Sequence, residues 1–95
     1  MYEELPSWRA SELVARGAQL IDVREHDEIA TGTHPDAVAL PLSELDRRVH
    51  ELRRDRPVAL LCRSGNRSRD AAERLSARGF RHLVNLAGGV EALRR

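Results

Sequence analysis

One short segment holds most of the side chains that could do chemistry. Residues 62–68 read Cys-Arg-Ser-Gly-Asn-Arg-Ser, and Cys62 is the only cysteine in the 95-residue chain. The segment follows an apolar run at residues 57–61, typical of a buried strand, and precedes a helical pattern from Arg67 to Arg78. Unpaired backbone N–H groups and the positive end of a helix dipole both favour thiolate over thiol. Since the thiolate is the reactive form, this position indicates a nucleophilic cysteine.

The composition of the loop predicts a site for an anion. A lone cysteine is by default a small core residue, but Cys62 ends its strand instead of lying inside it. Gly65 allows backbone N–H groups to turn toward a common centre, as in anion-binding nests. Arg63 and Arg67 add positive charge, and the loop contains no acid. Such a loop suits an anion beside a thiolate, or a cysteine-bound group that develops negative charge.

The spacing between Cys62 and Arg67 restricts the kind of anion. Four residues separate them, whereas loops of the tyrosine-phosphatase type have one more, because they must wrap a phosphate ester. The tighter ring argues against a small phosphatase. The absence of a second cysteine argues against an arsenate reductase, which needs a resolving thiol. Glycine-rich phosphate loops and dinucleotide fingerprints are also absent.

The surrounding elements alternate between strands and helices. This alternation predicts an α/β domain with a four- to five-stranded parallel sheet flanked by helices on both faces, joined by right-handed connections. A short edge strand is expected at residues 5–9, with Trp8 as a core plug. The other expected strands cover residues 18–23, 37–40, 58–61 and 81–86, and the expected helices cover residues 11–16, 26–31, 43–54, 67–78 and 90–95.

Two charged residues lie at the end of the first core strand. Asp22 is embedded in apolar sequence, and Arg24 follows two positions later. Sites in parallel sheets form at the carboxyl ends of strands, so we expect both residues to support the Cys62 loop. A buried Asp22 would need a partner. The alternative is a weak surface ion pair of Arg24 with Glu25 or Glu28.

Composition excludes several other functions. The formal net charge of +1 lacks the basic footprint of a nucleic-acid binder, and acids interleave with the arginines of residues 43–54, which argues against a membrane role too. One cysteine excludes an internal disulfide and any multi-cysteine metal site. No apolar run approaches the ~20 residues that cross a bilayer. The acidic N-terminus does not resemble a signal peptide, so a cytoplasmic location is expected.

The loop resembles the active-site loop of the rhodanese (sulfurtransferase) family, whose pattern is Cys-Arg-x-Gly-x-Arg-Ser/Thr. Three other segments agree with that family in order and spacing, so the resemblance runs from about Trp8 to the end of the chain. They are Leu20-Ile21-Asp22-Val23-Arg24, Glu28 with Gly32 and the later Leu40-Pro41-Leu42, and Leu86-Ala87-Gly88-Gly89-Val90. The resemblance implies one rhodanese-like domain over residues 1–95.

The chain departs from the family at two points. The family usually reads Gly-His-Ile-Pro-Gly-Ala where this chain has Gly-Thr-His-Pro-Asp-Ala at residues 32–37. The histidine is displaced by one position, so we expect His34 to be a turn residue without a catalytic role. The final helix lacks the customary tryptophan, with Leu93 nearby.

The resemblance implies an enzyme that transfers sulfane sulfur. Cys62 would attack the outer sulfur of a small anionic donor such as thiosulfate, and cyanide or a thiol would then accept the sulfur. The family's loop implies binding of the persulfide by the backbone of Arg63, Ser64, Gly65, Asn66 and Arg67, with Arg63 steering the donor. Arg67 would brace the loop through Asp22 or Glu28, with Arg24 and Ser68 as further supports.

The same resemblance leaves two other functions open. One is a rhodanese-like binding module without turnover, and the other is a persulfide carrier dedicated to a protein thiol partner. Neither a metal nor an organic cofactor is implied, since the transferred sulfur would be carried on the protein. No nucleic-acid or membrane partner is expected, and the chain is expected to be a monomer.

Overall fold

A computed structural model describes residues 1–94 and contains a five-stranded sheet. All neighbouring strands are parallel, and their spatial order is β1-β5-β4-β2-β3. The strands are β1 Glu3–Pro6, β2 Gln19–Asp22, β3 Val38–Ala39, β4 Val58–Leu61 and β5 Leu83–Ala87. The α/β class and the parallel sheet expected from the sequence are therefore confirmed.

Helices cover both faces of this sheet. They are α1 Ala10–Ala15, α2 His26–Ile29, α3 Leu45–Arg48, α4 Asn66–Ala77 and α5 Gly89–Leu93, with 3₁₀ turns at Ser7–Arg9, Leu42–Glu44 and Val49–Glu51. Successive residues of β4 point to opposite faces, as a strand requires. Val58 and Leu60 join one core cluster with residues of α4, whereas Ala59 and Leu61 join a second cluster with Ala10 and Val90.

The helix expected at residues 43–54 is wrong in its length. Only α3 is α-helical, and 3₁₀ turns flank it on both sides. The apolar stripe still faces inward at Leu45 and Leu52, which are 1% and 8% exposed. Leu52 is extended, and the Gln19 side chain bonds the backbone N–H and C=O of Arg53 at 2.8 and 2.9 Å. These bonds hold the chain out of the helix so that it can enter β4.

Trp8 is not the core plug that the sequence suggested. Its side chain is 71% exposed, because β1 ends at Pro6 and a 3₁₀ turn follows. The buried residue of that turn is Ser7, whose hydroxyl donates a hydrogen bond to the carbonyl of Gly89 at 2.8 Å. This bond ties the end of β1 to the start of α5.

Candidate active site

The Cys62 loop lies at the carboxyl edge of the sheet. Leu61 ends β4 and pairs with Asp22, the last residue of β2, so the structure brings Asp22 beside the strand that leads into the loop. Helix α4 begins at Asn66, and the preceding Gly65 has a φ of 111°. Only glycine adopts this backbone conformation readily, which explains its place at the turn. The sequence order strand, loop, helix thus places Cys62 below the N-terminus of α4.

The Cys62 sulfur is buried and receives hydrogen bonds from the loop. The residue is 1% exposed, its Sγ lies 3.1 Å from the backbone N of Gly65, and Ser68 Oγ lies 3.3 Å away. Burial raises the pKa of the Cys62 thiol, but the Ser68 hydroxyl and the backbone N–H groups of Ser68, Gly65 and Ser64 outweigh it. The pKa therefore lies below its ordinary value, which favours the nucleophilic thiolate.

Arg67 braces the loop through Glu28, one of the two partners that the sequence offered. Its Nη1 and Nη2 lie 2.6 and 2.8 Å from the two carboxylate oxygens of Glu28. The Arg67 guanidinium and, to a smaller extent, the backbone N–H of Glu25 lower the pKa of Glu28 to about 2. Glu28 is therefore ionised throughout the neutral range. This bidentate pair links the first turn of α4 to α2.

Asp22 and Arg24 form a buried ion pair. Their side chains are 0% and 4% exposed, and Arg24 Nη2 lies 2.8 Å from Asp22 Oδ2. Arg24 also donates to the carbonyl of Gly32 at 2.8 Å, and the Thr33 hydroxyl donates to Asp22 at 2.6 Å. The alternative of a weak surface pair between Arg24 and a neighbouring glutamate is therefore wrong. The pair instead fixes the segment 28–33, and this holds Glu28 where it can bond Arg67 of the loop.

The remaining loop side chains point to solvent. Arg63 is 67% exposed and its Nε lies 3.4 Å from Glu91 of α5. Ser64 and Asn66 are also exposed. Ser64 therefore bonds the sulfur through its backbone N–H and not through its hydroxyl.

His34 closes a turn, because its Nδ1 accepts the backbone N–H of Asp36 at 3.1 Å while its Nε2 lies 2.8 Å from Ser11 Oγ.

A surface cavity adjoins the loop. Its volume is about 350 Å³. Three arginines line it together with two acids and two uncharged residues: Arg24, Arg63, Arg94, Glu28, Glu91, Thr31 and Val90. Arg94 was not singled out in the sequence, where it is one arginine among many in a helix end. The cavity's three arginines outnumber its two glutamates, so the sign of the excess charge suits an anionic ligand near the loop.

The Gly88-Gly89 turn fastens α5 to the Cys62 loop. The backbone N–H of Val90 donates to the carbonyl of Cys62 at 2.8 Å, and that of Glu91 donates to the carbonyl of Arg63 at 3.0 Å. A side chain at Gly89 would place its Cβ 2.3 Å from the Cys62 carbonyl oxygen. The sequence showed the glycines only as a turn; their close approach to the loop is visible in the structure alone.

Asn85 is a further residue that sequence reasoning missed. It lies in β5, is 0% exposed, and bonds Ser68, Gly65 and Glu4 through its side-chain amide. The available signal was an amide inside the apolar run of residues 83–87. A buried amide needs hydrogen-bond partners, and here they include the loop itself.

Neither a metal-binding cluster nor a membrane-spanning helix occurs in the part of the chain that the structure describes. Within residues 1–94, no three His, Cys, Asp or Glu side chains lie close enough together to hold a metal ion. In the same part of the chain, no helix has both the length and the apolar character needed to cross a bilayer.

Comparisons with known proteins agree with this geometry. The family model described as "Rhodanese-like domain" matches residues 5–95. A protein named "Sulfurtransferase" from Allochromatium vinosum is 38% identical over 97 residues, covering 100% of this chain and 91% of its own length. A "Thiosulfate sulfurtransferase GlpE" from Pseudomonas syringae is 31% identical over 93 residues, covering 98% of this chain and 88% of its own length.

The fold also matches a solved structure. The crystal structure of reduced Bacillus anthracis CoADR-RHD superposes with a TM-score of 0.88 and 30% identity over 95% of this chain. The matched region is 16% of that longer protein. The similarity therefore concerns one domain of it.

Proposed function

The chain belongs to the rhodanese-like domain family, and on that premise we propose that it transfers sulfane sulfur from thiosulfate to cyanide or a thiol through a persulfide on Cys62. The observation that carries the proposal is the environment of the Cys62 sulfur. A buried Sγ receives the Gly65 N–H at 3.1 Å, and its pKa is lowered despite the cost of burial. A thiolate in this position is a nucleophile with a preformed anion site around it.

The first half-reaction loads the cysteine. The Cys62 thiolate attacks the outer sulfur of thiosulfate, a new S–S bond forms, and the sulfur–sulfur bond of the donor breaks. The leaving sulfite takes that electron pair, and the outer sulfur of the persulfide keeps one negative charge. Backbone N–H groups of residues 63–67 stabilise this charge at no cost in reorganisation, because the turn at Gly65 already fixes them.

The second half-reaction unloads the cysteine. Cyanide attacks the outer sulfur, the persulfide bond breaks, and its electron pair returns to Cys62 as the thiolate while thiocyanate leaves. A thiol acceptor follows the same course and becomes a persulfide itself. Neither half-reaction consumes an electron from a redox partner, so the proposed cycle uses no cofactor.

The charged residues have different roles in this proposal. Arg63 is exposed, lines the cavity of about 350 Å³ and attracts the anionic donor. Arg67 is held by Glu28 and fixes the first turn of α4. The Asp22–Arg24 pair acts less directly. It fixes the segment that includes Glu28, and Glu28 in turn holds Arg67.

We place this reaction in a reducing compartment of the cell. The single free cysteine favours a reducing compartment such as the cytoplasm, where it stays a thiol. We propose that residues 1–95 act as one domain and as a monomer, with a protein thiol as an additional acceptor.

The proposal is tested by thiocyanate formation. Purified protein is mixed with thiosulfate and cyanide, and the initial rate is compared with that of Cys62→Ser, which keeps the size of the side chain but removes the sulfur. We expect turnover by the wild type and none above background by the variant, a loss of at least about 10³-fold. Equal rates for both proteins would contradict the proposal, and no turnover by either would favour the binding module.

A further inference from the structure

A chain of buried hydrogen bonds runs from the Cys62 sulfur to the protein surface. Cys62 Sγ lies 3.3 Å from Ser68 Oγ, which in turn bonds Asn85 Oδ1. Asn85 Nδ2 donates to the carbonyl of Gly65 at 3.2 Å and to Glu4 Oε2 at 2.7 Å. Ser68 and Asn85 are both 0% exposed, so water does not compete for these bonds. The chain connects the reactive sulfur to β5 and β1.

The surroundings of Asn85 determine which way its amide faces. Its two acceptors, the Glu4 carboxylate and the Gly65 carbonyl, cannot donate a hydrogen bond in return. Hydrogen bonds from Asn85 and Arg69 lower the pKa of Glu4, so this carboxylate is charged at neutral pH. If the amide were turned over, its oxygen would face the Glu4 carboxylate oxygen and the Gly65 carbonyl oxygen, and both contacts would be repulsive. Asn85 Oδ1 must therefore face Ser68 and accept its hydrogen bond.

Ser68 has only one hydrogen to give. While it donates to Asn85 Oδ1, its oxygen can accept the Cys62 S–H, and every group in the chain is satisfied. A Cys62 thiolate has no hydrogen and can only accept. Backbone N–H groups of the loop already donate to this thiolate, but an unrotated Ser68 would face it with oxygen lone pairs at 3.3 Å. Rotating the hydroxyl hydrogen toward the sulfur removes this repulsion and leaves the buried Asn85 Oδ1 without that partner.

We propose that Asn85 is a positioning residue that sets the Ser68 hydroxyl as a two-position switch. The hydroxyl points to Asn85 while Cys62 is a thiol or carries the transferred sulfur, and it points to Cys62 when the sulfur is a free thiolate. Asn85 thus competes with Cys62 for one hydrogen. The competition raises the free energy of the thiolate relative to a loop in which Ser68 donates to the sulfur alone.

The switch matters at the second half-reaction, and this part of the inference rests on the proposed function. As the acceptor bonds to the outer sulfur, the S–S bond breaks and its electron pair goes to Cys62 Sγ. The Ser68 hydrogen turns to that sulfur as the charge arrives, without any proton leaving Ser68. Asn85 returns the hydroxyl to its first position once the sulfur is loaded again.

Other charged groups around Cys62 do not provide this switch. The charged groups around the loop come from several elements. They are Arg67 from α4, Glu28 from α2, Glu4 from β1, the Asp22–Arg24 pair at the end of β2 and the Arg63–Glu91 pair. The pKa values of Glu28 and Glu4 are lowered, so both carboxylates keep their charge where a thiol titrates. Their effect on Cys62 is constant across that range, whereas the Ser68 hydrogen changes partner within it.

The test is the pH profile of Cys62 alkylation by iodoacetamide in four proteins: wild type, Asn85→Leu, Ser68→Ala and the double variant. Leucine approximates the size of asparagine and removes the competing acceptor. At a pH below the pKa, we expect Asn85→Leu to react roughly two- to fivefold faster and Ser68→Ala to react more slowly. In the Ser68→Ala background, Asn85→Leu should have no effect, because the hydroxyl through which it acts is gone.

An equal shift by Asn85→Leu in both backgrounds would overturn the proposal, as would slower or unchanged alkylation of Asn85→Leu alone. If that variant does not fold, wild-type NMR decides. The side-chain carbonyl carbon of Asn85 should shift as Cys62 titrates, and this step should vanish in Ser68→Ala; a step in both, or in neither, rejects the switch. Alkylation needs no sulfur donor, so these results are independent of whether the protein turns over thiosulfate.

Discussion

Replacing Gly89 with alanine is expected to destabilise the folded chain by about 3 kcal/mol or more. The new Cβ would lie 2.3 Å from the Cys62 carbonyl oxygen and 2.5 Å from that of Arg63, and the φ of Gly89 is 56°. Both carbonyls accept hydrogen bonds from α5, at 2.8 and 3.0 Å. The overlap with backbone atoms can be relieved only by moving the loop or α5, which breaks these bonds.

The matched control is Gly17→Ala. Gly17 also has a positive φ, of 98°, but a Cβ there would meet nothing within 4 Å. This variant therefore has the backbone strain without the overlap, and should lose only about 1–2 kcal/mol. Urea unfolding of both variants measures the difference. If the two variants lose the same free energy of unfolding, the contact between the Gly-Gly turn and the Cys62 loop does not contribute to stability.

Replacing Asp22 with alanine is expected to cost about 3–5 kcal/mol of folding free energy, a large part of the ~5–15 kcal/mol typical of a domain. Arg24 is 3% exposed and would remain buried without its counter-charge. The Thr33 hydroxyl would lose its acceptor as well, at 2.6 Å in the intact protein. The loss should appear in the denaturant midpoint.

The chain contains a control with the same pair of residue types at the same separation. Arg53 and Asp55 also form an ion pair two residues apart, at 2.7 Å, but their side chains are 61% and 66% exposed. Water and salt screen such a pair, so Asp55→Ala should leave the midpoint nearly unchanged. Similar losses for Asp22→Ala and Asp55→Ala would contradict the assignment of Asp22 as a buried support.

The sequence predicted the parts of the fold that depend on local pattern. The apolar runs before Asp22 and Cys62 are strands, and residues 67–78 form most of α4. It overestimated the helix at residues 43–54, because the bonds of Gln19 to Arg53 come from a distant strand. The prediction that Trp8 is a core residue is wrong for a related reason. An apolar ring favours burial, but the turn after Pro6 buries Ser7 instead.

The candidate site shows the same limit. Residues close in sequence, from Cys62 to Ser68, could be grouped by their types and spacing. Glu28 could be named as a possible brace, but only the structure distinguishes it from Asp22 as the partner of Arg67. Asn85 and Gly89 act through contacts with residues more than 15 positions away, and such contacts leave no periodic signal. The contacts of Asn85 and Gly89 with the Cys62 loop depend on the sheet order, which places β5 beside β4.

The most direct test of the central claim is the intact mass of the protein after incubation with thiosulfate and removal of the excess. A persulfide on Cys62 predicts that the wild type gains the mass of one sulfur atom, that cyanide reverses the gain, and that Cys62→Ser gains nothing. Gain without reversal by cyanide would indicate a carrier that needs its own acceptor. A wild-type mass that does not change, or an equal gain in Cys62→Ser, would contradict the claim that Cys62 carries the sulfur.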